Sequence, residues 1–538
     1  MHLLLFLAQI LGTETSLQPD GGLRAHVADF SLYRSSNLGA ALARIDDRDG
    51  DGQDDLLVAG PRFEGKIHVM SSASWQEIAQ MSGSFNQAFG EVVAPAPDLD
   101  GDGIGDFYVA AELSNFFFPG EIAAFTGLTP TARAWTRRGP DGAALGAAMV
   151  TIPDLDGDGI EDLAAGAPCP GQSGGYVFIL SGKTGAIIDR IGPERDGFGS
   201  TLARSDDLDG DGLDDLLIGA PLGVGHVAAY SSATRTRIYE LHGAQDGQEF
   251  GKVIQSLGDI DRDGIDDFCI GSPASSTLFR FTAEVTAHSG ATGNLLWGVI
   301  GDREAGVGVS LGRLPDIDGD GIDDLMVGAP STQRRGGQSL LFDYGAVYML
   351  SGANGEVLWE FVGTINQGEF GYSTLAMGDV NGDGLEEIVI ATPDFGGADP
   401  QIVVVNLNPF MTGDQRTVSL ATGGQVTLGL DYPLEAAHRP YSILMSARGV
   451  GPTFLNGAWI PLTRDPLFEK TRTGVVPFGQ VTGMSGFLDA SGDATATLDL
   501  PPSAGTWLGS IWISSVVNPL AGQPVTYASA ATRVELIP

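Results

Sequence analysis

The pattern D-x-[DN]-x-D-G-x-x-[DE] occurs seven times in this chain, beginning at Asp47, Asp98, Asp154, Asp207, Asp259, Asp316 and Asp379. A glycine stands eight residues before each start, at Gly39, Gly90, Gly146, Gly199, Gly251, Gly308 and Gly371. It follows Leu38, Phe89, Leu145, Phe198, Phe250, Val307 or Phe370. Six residues beyond the last acid comes Pro61, Pro168, Pro221, Pro273, Pro330 or Pro393, and only the second copy departs, with Glu112 there. Landmarks at fixed offsets, with all length variation between copies, define a structural repeat with a period of about 55 residues.

Each copy reads as a run of short strands. An apolar stretch such as Asp215 to Ala220 follows the acidic loop, then a glycine-led stretch such as Gly345 to Ser351, then a turn and a further apolar stretch such as Val357 to Val362. Strands of this length, separated by Gly, Asn and Ser turns and lacking a 3.6-residue period, predict an all-β fold. About 55 residues suffice for a four-stranded antiparallel sheet. Such units bury their faces only against one another, and closing them into a ring leaves short edges.

The acidic loops have the chemistry of calcium sites. Calcium takes six to eight hard oxygens at roughly 2.3–2.6 Å. Positions 1, 3, 5 and 9 supply carboxylates, position 6 the glycine of the bend, and position 7 a backbone carbonyl. The first five ligand sets are Asp47, Asp49, Asp51, Gln53 and Asp55; Asp98, Asp100, Asp102, Ile104 and Asp106; Asp154, Asp156, Asp158, Ile160 and Asp162; Asp207, Asp209, Asp211, Leu213 and Asp215; and Asp259, Asp261, Asp263, Ile265 and Asp267. The last two are Asp316, Asp318, Asp320, Ile322 and Asp324, and Asp379, Asn381, Asp383, Leu385 and Glu387. Two carboxylates ~4 Å apart repel by about 4 kcal/mol at an effective dielectric near 20, so a cation is expected in each loop, up to seven calcium ions in all. An EF-hand is excluded, because position 12 is Val58, Val109, Ala165, Ile218, Ile270, Val327 or Ile390 where that motif needs a bidentate Glu.

These residues resemble the FG-GAP repeats of the integrin α-subunit propeller, over roughly residues 30 to 409. The Phe-Gly pair stands at Phe89-Gly90, Phe198-Gly199, Phe250-Gly251 and Phe370-Gly371, and the Gly-Ala-Pro at 166–168, 219–221 and 328–330. The resemblance implies a seven-bladed β-propeller in which an N-terminal strand within residues 22–33 completes the last blade beside Gln401 to Asn406. It also implies an adhesion or ligand-binding module whose partner, an extracellular protein or glycan, docks on the face opposite the calcium loops. Two connections there stand out. Phe116, Phe117 and Phe118 form either a contact patch or a plug for the central channel, and Arg334, Arg335 and Tyr344 lie in the longest insertion, as partner contacts or as solvated surface.

Charge separates the chain into parts. The 68 acids and 29 Lys or Arg give −39 overall, yet residues 410–538 carry only 9 acids against 7 bases, which places a domain boundary near Pro409. A chain this acidic repels a phosphate backbone, so nucleic acid is not expected as a partner. Residues 1–17 read as a signal peptide, which makes the protein secreted or surface-exposed. Residues 18–409 form the propeller, and 410–538, with alternating runs such as Val426 to Leu430 and Ala494 to Leu500, form a β-sandwich-like domain. No segment has the length of a membrane-spanning helix.

No residue is read as catalytic. Gly171-Gln-Ser173-Gly-Gly175 matches a nucleophile elbow in letters, but Tyr176 to Leu180 reads as a strand where a helix is needed. The seven His show no zinc-motif spacing, Asp489-Ala-Ser491-Gly-Asp493 reads as a turn, and Cys169 and Cys269 fall in non-neighbouring repeats, against a disulfide. The alternatives to a binding module are a polysaccharide-active enzyme scaffolded by the ring and a purely structural repeat protein.

Overall fold

The computed structural model describes residues 24–28 and, from 37 to 537, all but short segments that include 112–118, 170–173, 275–282, 302–305, 364–368, 381–385, 394–399, 503–508 and 518–526. The fold is all-β, a propeller followed by paired sheets. Among the described residues the repeat region contains seven four-stranded antiparallel sheets. In the fourth, Thr201–Ser205, Asp215–Ala220, His226–Tyr230 and Arg237–His242 follow one another from the innermost strand outward. The second strand is buried along its whole length because sheets cover both its faces, whereas the fourth is half-exposed.

The innermost strands are Ala41–Ile45, Phe89–Ala96, Met149–Ile152, Thr201–Ser205, Val253–Gly258, Ser310–Leu314 and Ser373–Gly378. Each adjoins the next, and the last adjoins the first, so the ring closes. The apolar core is correspondingly divided between blades. Ile179, Ile191 and Phe198 pack with Ile218, Ala228 and Tyr230 across the third interface, and Leu56 and Val58 pack with Val389, Ala391 and Ile402 across the closing one. The last sheet has the order Ser373–Gly378, Glu387–Thr392, Gln401–Asn406, Arg24–Ala28, so its outermost strand comes from the other end of the chain.

The glycine landmarks acquire a physical reason here. Gly199, at φ +87°, donates its N–H to the Gly219 carbonyl of its own blade at 3.1 Å. Its own carbonyl lies so close to Gly166 of the preceding blade that a Cβ on Gly166 would stand 1.9 Å from it. The same approach recurs between Gly219 and Gly251, Gly271 and Gly308, and Gly328 and Gly371. The Phe-Gly and Gly-Ala-Pro elements are thus the two halves of one interblade contact, where a side chain has no room.

The chain divides into two compact units, one holding Val27–Glu356 and Gly363–Val404, the other Val405–Pro538 together with Val357–Val362. In the second, Met411–Gly413, Gly424–Asp431, Asp493–Leu500 and Gln480–Thr482 form a four-stranded sheet. A larger sheet is built around Gly509–Val517, Pro440–Ser446 and Thr532–Ile537. Val426, Leu428 and Leu498 of one sheet and Ile443, Met445 and Ile513 of the other share a single core. A short helix, Pro466–Arg472, opens on Asp465, whose side chain accepts the Phe468 N–H at 2.7 Å. Asp489 accepts N–H groups from Ser491 and Asp493, so that segment is a turn. Cys169 and Cys269 are both free thiols. No described helix is long and apolar enough to cross a membrane.

Candidate metal centres

Each acidic loop joins the first strand of a blade to the second. In the first loop, Asp47 at position 1 accepts the N–H groups of Asp49, Gly50, Asp51 and Gly52 at 3.2, 2.6, 3.3 and 2.7 Å. This fan of donors requires Gly50 and Gly52 to turn left-handed, at φ +81° and +93°. A Cβ on either would touch nothing within 4 Å, so glycine is there for its backbone freedom. Arg262 makes the same left-handed turn at position 4 of the fifth loop, at φ 64°. At position 7 the N–H closes on the position 5 acid, as Gln53 does on Asp51 at 2.9 Å and Ile104 on Asp102 at 2.9 Å.

The closing acid at position 9 is the first residue of the second strand and is buried: Asp55, Asp162, Asp215, Asp267 and Asp324 have no exposed surface, and Asp106 and Glu387 almost none. One oxygen accepts the N–H of loop position 2, from Arg48, Leu99, Leu155, Leu208, Ile260, Ile317 or Val380, at 2.7–2.9 Å. The other accepts an N–H from the turn after the third strand, from Ser72, Gly182, Ser232, Gly290 or Gly352. In the same turns Ser71 donates its hydroxyl to Asp51 at 3.1 Å and Ser231 to Asp211 at 3.4 Å. These turn residues are part of the site, although the sequence reading did not single them out.

Carboxylate oxygens at positions 1, 3 and 9 converge to within 4.8 Å of one another in Asp47, Asp49 and Asp55, in Asp98, Asp100 and Asp106, in Asp154, Asp156 and Asp162, and in Asp207, Asp209 and Asp215. Acids sharing a calcium ion at 2.3–2.6 Å have oxygens no farther apart than about 5 Å, so the donor set fits a hard divalent cation. The position 5 acids stand outside these triplets. The electrostatics are divided within each loop. Backbone N–H groups, that of the position 6 glycine above all, hold Asp47, Asp98, Asp154 and Asp207 below the usual carboxylate range. Burial pushes Asp55, Asp162, Asp215 and Asp267 up to about 6 and Asp324 up to about 7, with acids at positions 1, 3 or 5 adding to the rise. A buried acid facing two other acids is short of positive charge at neutral pH, and a cation supplies it.

Three arginines neutralise a different set of acids. Arg204 bridges Asp214 at position 8 of its own loop and Glu161 of the preceding one, at 2.6 and 2.9 Å. Arg313 likewise bridges Asp323 and Asp266, and Arg44 pairs with Asp54. The position 8 acids are therefore drawn away from the triplets.

Of the remaining residues singled out from sequence, Phe116, Phe117, Phe118, Tyr344, Asn381, Asp383 and Leu385 lie outside the described residues, as does the proposed signal segment. Arg334 and Arg335 fall on Gln333–Gly336, which pairs with Leu340–Asp343. The longest insertion is thus a β-hairpin where the sequence was read only as a loop. Gly175–Leu180 is a strand, which leaves Ser173 without the helix that a nucleophile elbow needs.

The FG-GAP repeat profile matches residues 198–233, 307–342 and 370–405. Integrin alpha-5 of Xenopus laevis is 32% identical over 202 residues, 34% of this chain and 19% of its own length. Integrin alpha-V of Gallus gallus is 29% identical over 202 residues, with the same shares, and integrin alpha-PS2 of Drosophila melanogaster 32% identical over 224 residues, 36% of this chain and 16% of its own. The chain carries FG-GAP repeats and is similar in them to integrin α chains. It spans about a fifth of the length of these curated relatives.

Proposed function

We propose that the acidic loops are calcium sites and that the propeller is a calcium-stabilised adhesion or ligand-binding module, secreted or held at a cell surface. One observation carries the metal reading: three carboxylates, one of them buried, converge within 4.8 Å in loop after loop. Asp47, Asp49, Asp51, the Gln53 carbonyl and Asp55 would hold the first ion, and the corresponding residues the others, up to seven. The oxygen-only donor set and its adaptable geometry favour calcium over the smaller, strictly octahedral magnesium. The ion would supply positive charge that ties the first strand of each blade to its second and to the turn after its third.

The adhesion reading rests on the similarity to integrin α chains, with an extracellular protein or glycan as partner on the rim opposite the calcium loops. Residues 1–17 are assigned as a secretion signal, 18–409 as the propeller and 410–538 as a β-sandwich-like domain appended to it. Phe116 to Phe118, Arg334, Arg335 and Tyr344 are the proposed partner contacts.

Melting the protein with calcium and after its removal tests the metal, since a ligand held only by the folded state raises its melting temperature. A midpoint indifferent to calcium overturns the assignment. Partner binding is tested on arrays of extracellular proteins and glycans in calcium, repeated with Phe116, Phe117 and Phe118 changed to Ser. Binding that survives those changes removes the Phe residues from the contact surface, and no binding to either array sinks the adhesion reading.

A further inference from the structure

A second kind of cluster, with imidazole nitrogens beside carboxylates, lies on the opposite rim. Because the acidic loops connect first to second strands, the start of each third strand and the end of each fourth lie at the other end of the blade. His226 begins the third strand of the fourth blade, and His242, which ends the fourth strand, is its cross-strand partner. At the corresponding register other blades pair Lys66 with Ser82, Glu121 with Arg138 and Glu284 with Ile300. Glu194, the last residue of the outer strand of the preceding blade, comes in across the interface.

Donor atoms of Glu194, His226 and Glu240 lie within 4.8 Å of one another, and His242 stands beside this triplet, against Glu240. His226 Nε2 lies 3.8 Å from Glu194 Oε2 and 3.9 Å from Glu240 Oε1, and His242 Nε2 lies 3.7 Å from the same Glu240 oxygen. These separations are too long for hydrogen bonds and about half an ångström wider than the edges of a tetrahedron with ligands at 2.0–2.1 Å. His226 is 7% exposed, and its Nε2 has no hydrogen-bond partner, an orphaned buried atom aimed at two carboxylates. Each carboxylate is meanwhile held by its other oxygen. Tyr230 donates to Glu194 Oε1, and Arg237 donates to Glu240 Oε2 at 2.7 Å. Arg237 also stands 3.8 Å from Glu194 Oε1. Supported carboxylates with one oxygen turned inward are the usual surroundings of a metal ion.

We infer that His226, Glu194, Glu240 and His242 bind a late first-row divalent ion of the zinc class, clamping the third blade to the fourth on the rim away from the acidic loops. Imidazole nitrogen selects this class of ion, whereas calcium takes oxygen alone. Three of the ligands belong to one blade and Glu194 to its neighbour, so the ion works as an interblade staple. His242 is the accessible ligand.

The test uses the full chain, stripped of metal and then kept in excess calcium so that the acidic loops are occupied, and titrated with cobalt(II) and zinc(II). One equivalent of cobalt should bind with the intense visible bands of a four-coordinate ion, and one equivalent of zinc should displace it. His226→Gln should abolish those bands, and His242→Ala, at an exposed position, should weaken binding by at least the roughly 10–100-fold that losing a residue which only orients a ligand costs, while leaving the metal-free melting temperature unchanged. A wild-type protein that takes up no equivalent in calcium, or bands that persist unchanged in both His242→Ala and Glu240→Gln, overturns the inference even if His226→Gln fails to fold. Because calcium is in excess throughout, failure here leaves the calcium assignment to its own melting experiment.

Discussion

Arg48, in the first acidic loop, donates from Nη2 to Asp106 Oδ1, the closing carboxylate of the second, at 3.1 Å, with the arginine side chain 5% exposed and the aspartate buried. It also donates to the Gly105 carbonyl. One loop thus lends its neighbour a positive charge in the place where, in five other loops, a backbone N–H meets the closing acid. Burial still pushes Asp106 up, and Arg48 opposes that rise.

Removing this arginine leaves a buried acid without its partner. Arg48→Met should destabilise the metal-free protein by about 3 kcal/mol, read from urea midpoints. Saturating calcium should return part of the loss, since an ion in the second loop replaces the missing charge. Equal midpoints for the variant and the parent would show that the pair carries no such burden.

The pH response of the metal-free protein has a definite sign. Asp55, Asp162, Asp215 and Asp267 titrate near 6 and Asp324 near 7 in the folded state, against about 3.9 when unfolded. Between those limits the folded state binds more protons, so stability falls as pH rises through 6 to 7. The melting temperature of metal-free protein should therefore be higher at pH 5.5 than at pH 8. Calcium needs these acids ionised, so the increment it adds should grow over the same interval. A metal-free midpoint that climbs with pH contradicts the first statement, and a calcium increment that stays flat or shrinks contradicts the second.

The interblade glycines should not tolerate a methyl group. Gly166→Ala places a Cβ 1.9 Å from the Gly199 carbonyl, and Gly328→Ala places one 2.0 Å from that of Gly371. Each should cost about 3 kcal/mol or more, or prevent folding. Gly298→Ala, whose nearest neighbour is Thr286 Cγ2 at 3.4 Å, should change stability by less than about 0.5 kcal/mol. Similar denaturation curves for all three would refute the close-approach account.

A separate latch joins the outer strands to the loops of the next blade. Trp135 Nε1 donates to the Gly182 carbonyl and Trp297 Nε1 to that of Gly352, both at 2.7 Å. The N–H groups of these two glycines donate in turn to Asp162 and Asp324. Trp135→Phe and Trp297→Phe should each cost about 1 kcal/mol, and the double variant about their sum, because the two interfaces share no partner. A strongly non-additive double variant would reveal coupling around the ring.

What the sequence made legible follows from spacing. The acidic loops, the Phe-Gly and the Gly-Ala-Pro sit at fixed offsets because one loop and two strands separate them, and a repeat search finds them. The turn after the third strand is as much part of each site, yet Ser72 lies 17 residues beyond Asp55, Gly290 23 beyond Asp267 and Gly352 28 beyond Asp324. Connections of differing length intervene on the opposite rim, so no fixed pattern exposes it. His226, His242 and Glu194 were scattered for a related reason: strand pairing and blade packing bring them together, and neither leaves a local motif. The helix Pro466–Arg472 is two turns long, too short to show a period, although Asp465 and Pro466 are capping residues.

Ser373 donates its hydroxyl to the Gly39 carbonyl across 334 positions of chain, where the last blade meets the first. During synthesis the first blade emerges with one flank bare and keeps it bare until most of the repeats have been made. Over that interval the nascent chain is an open arc whose two ends are complementary to each other, and therefore also to the ends of other copies. Joining within one molecule yields a closed ring, and joining between molecules yields a growing chain of arcs.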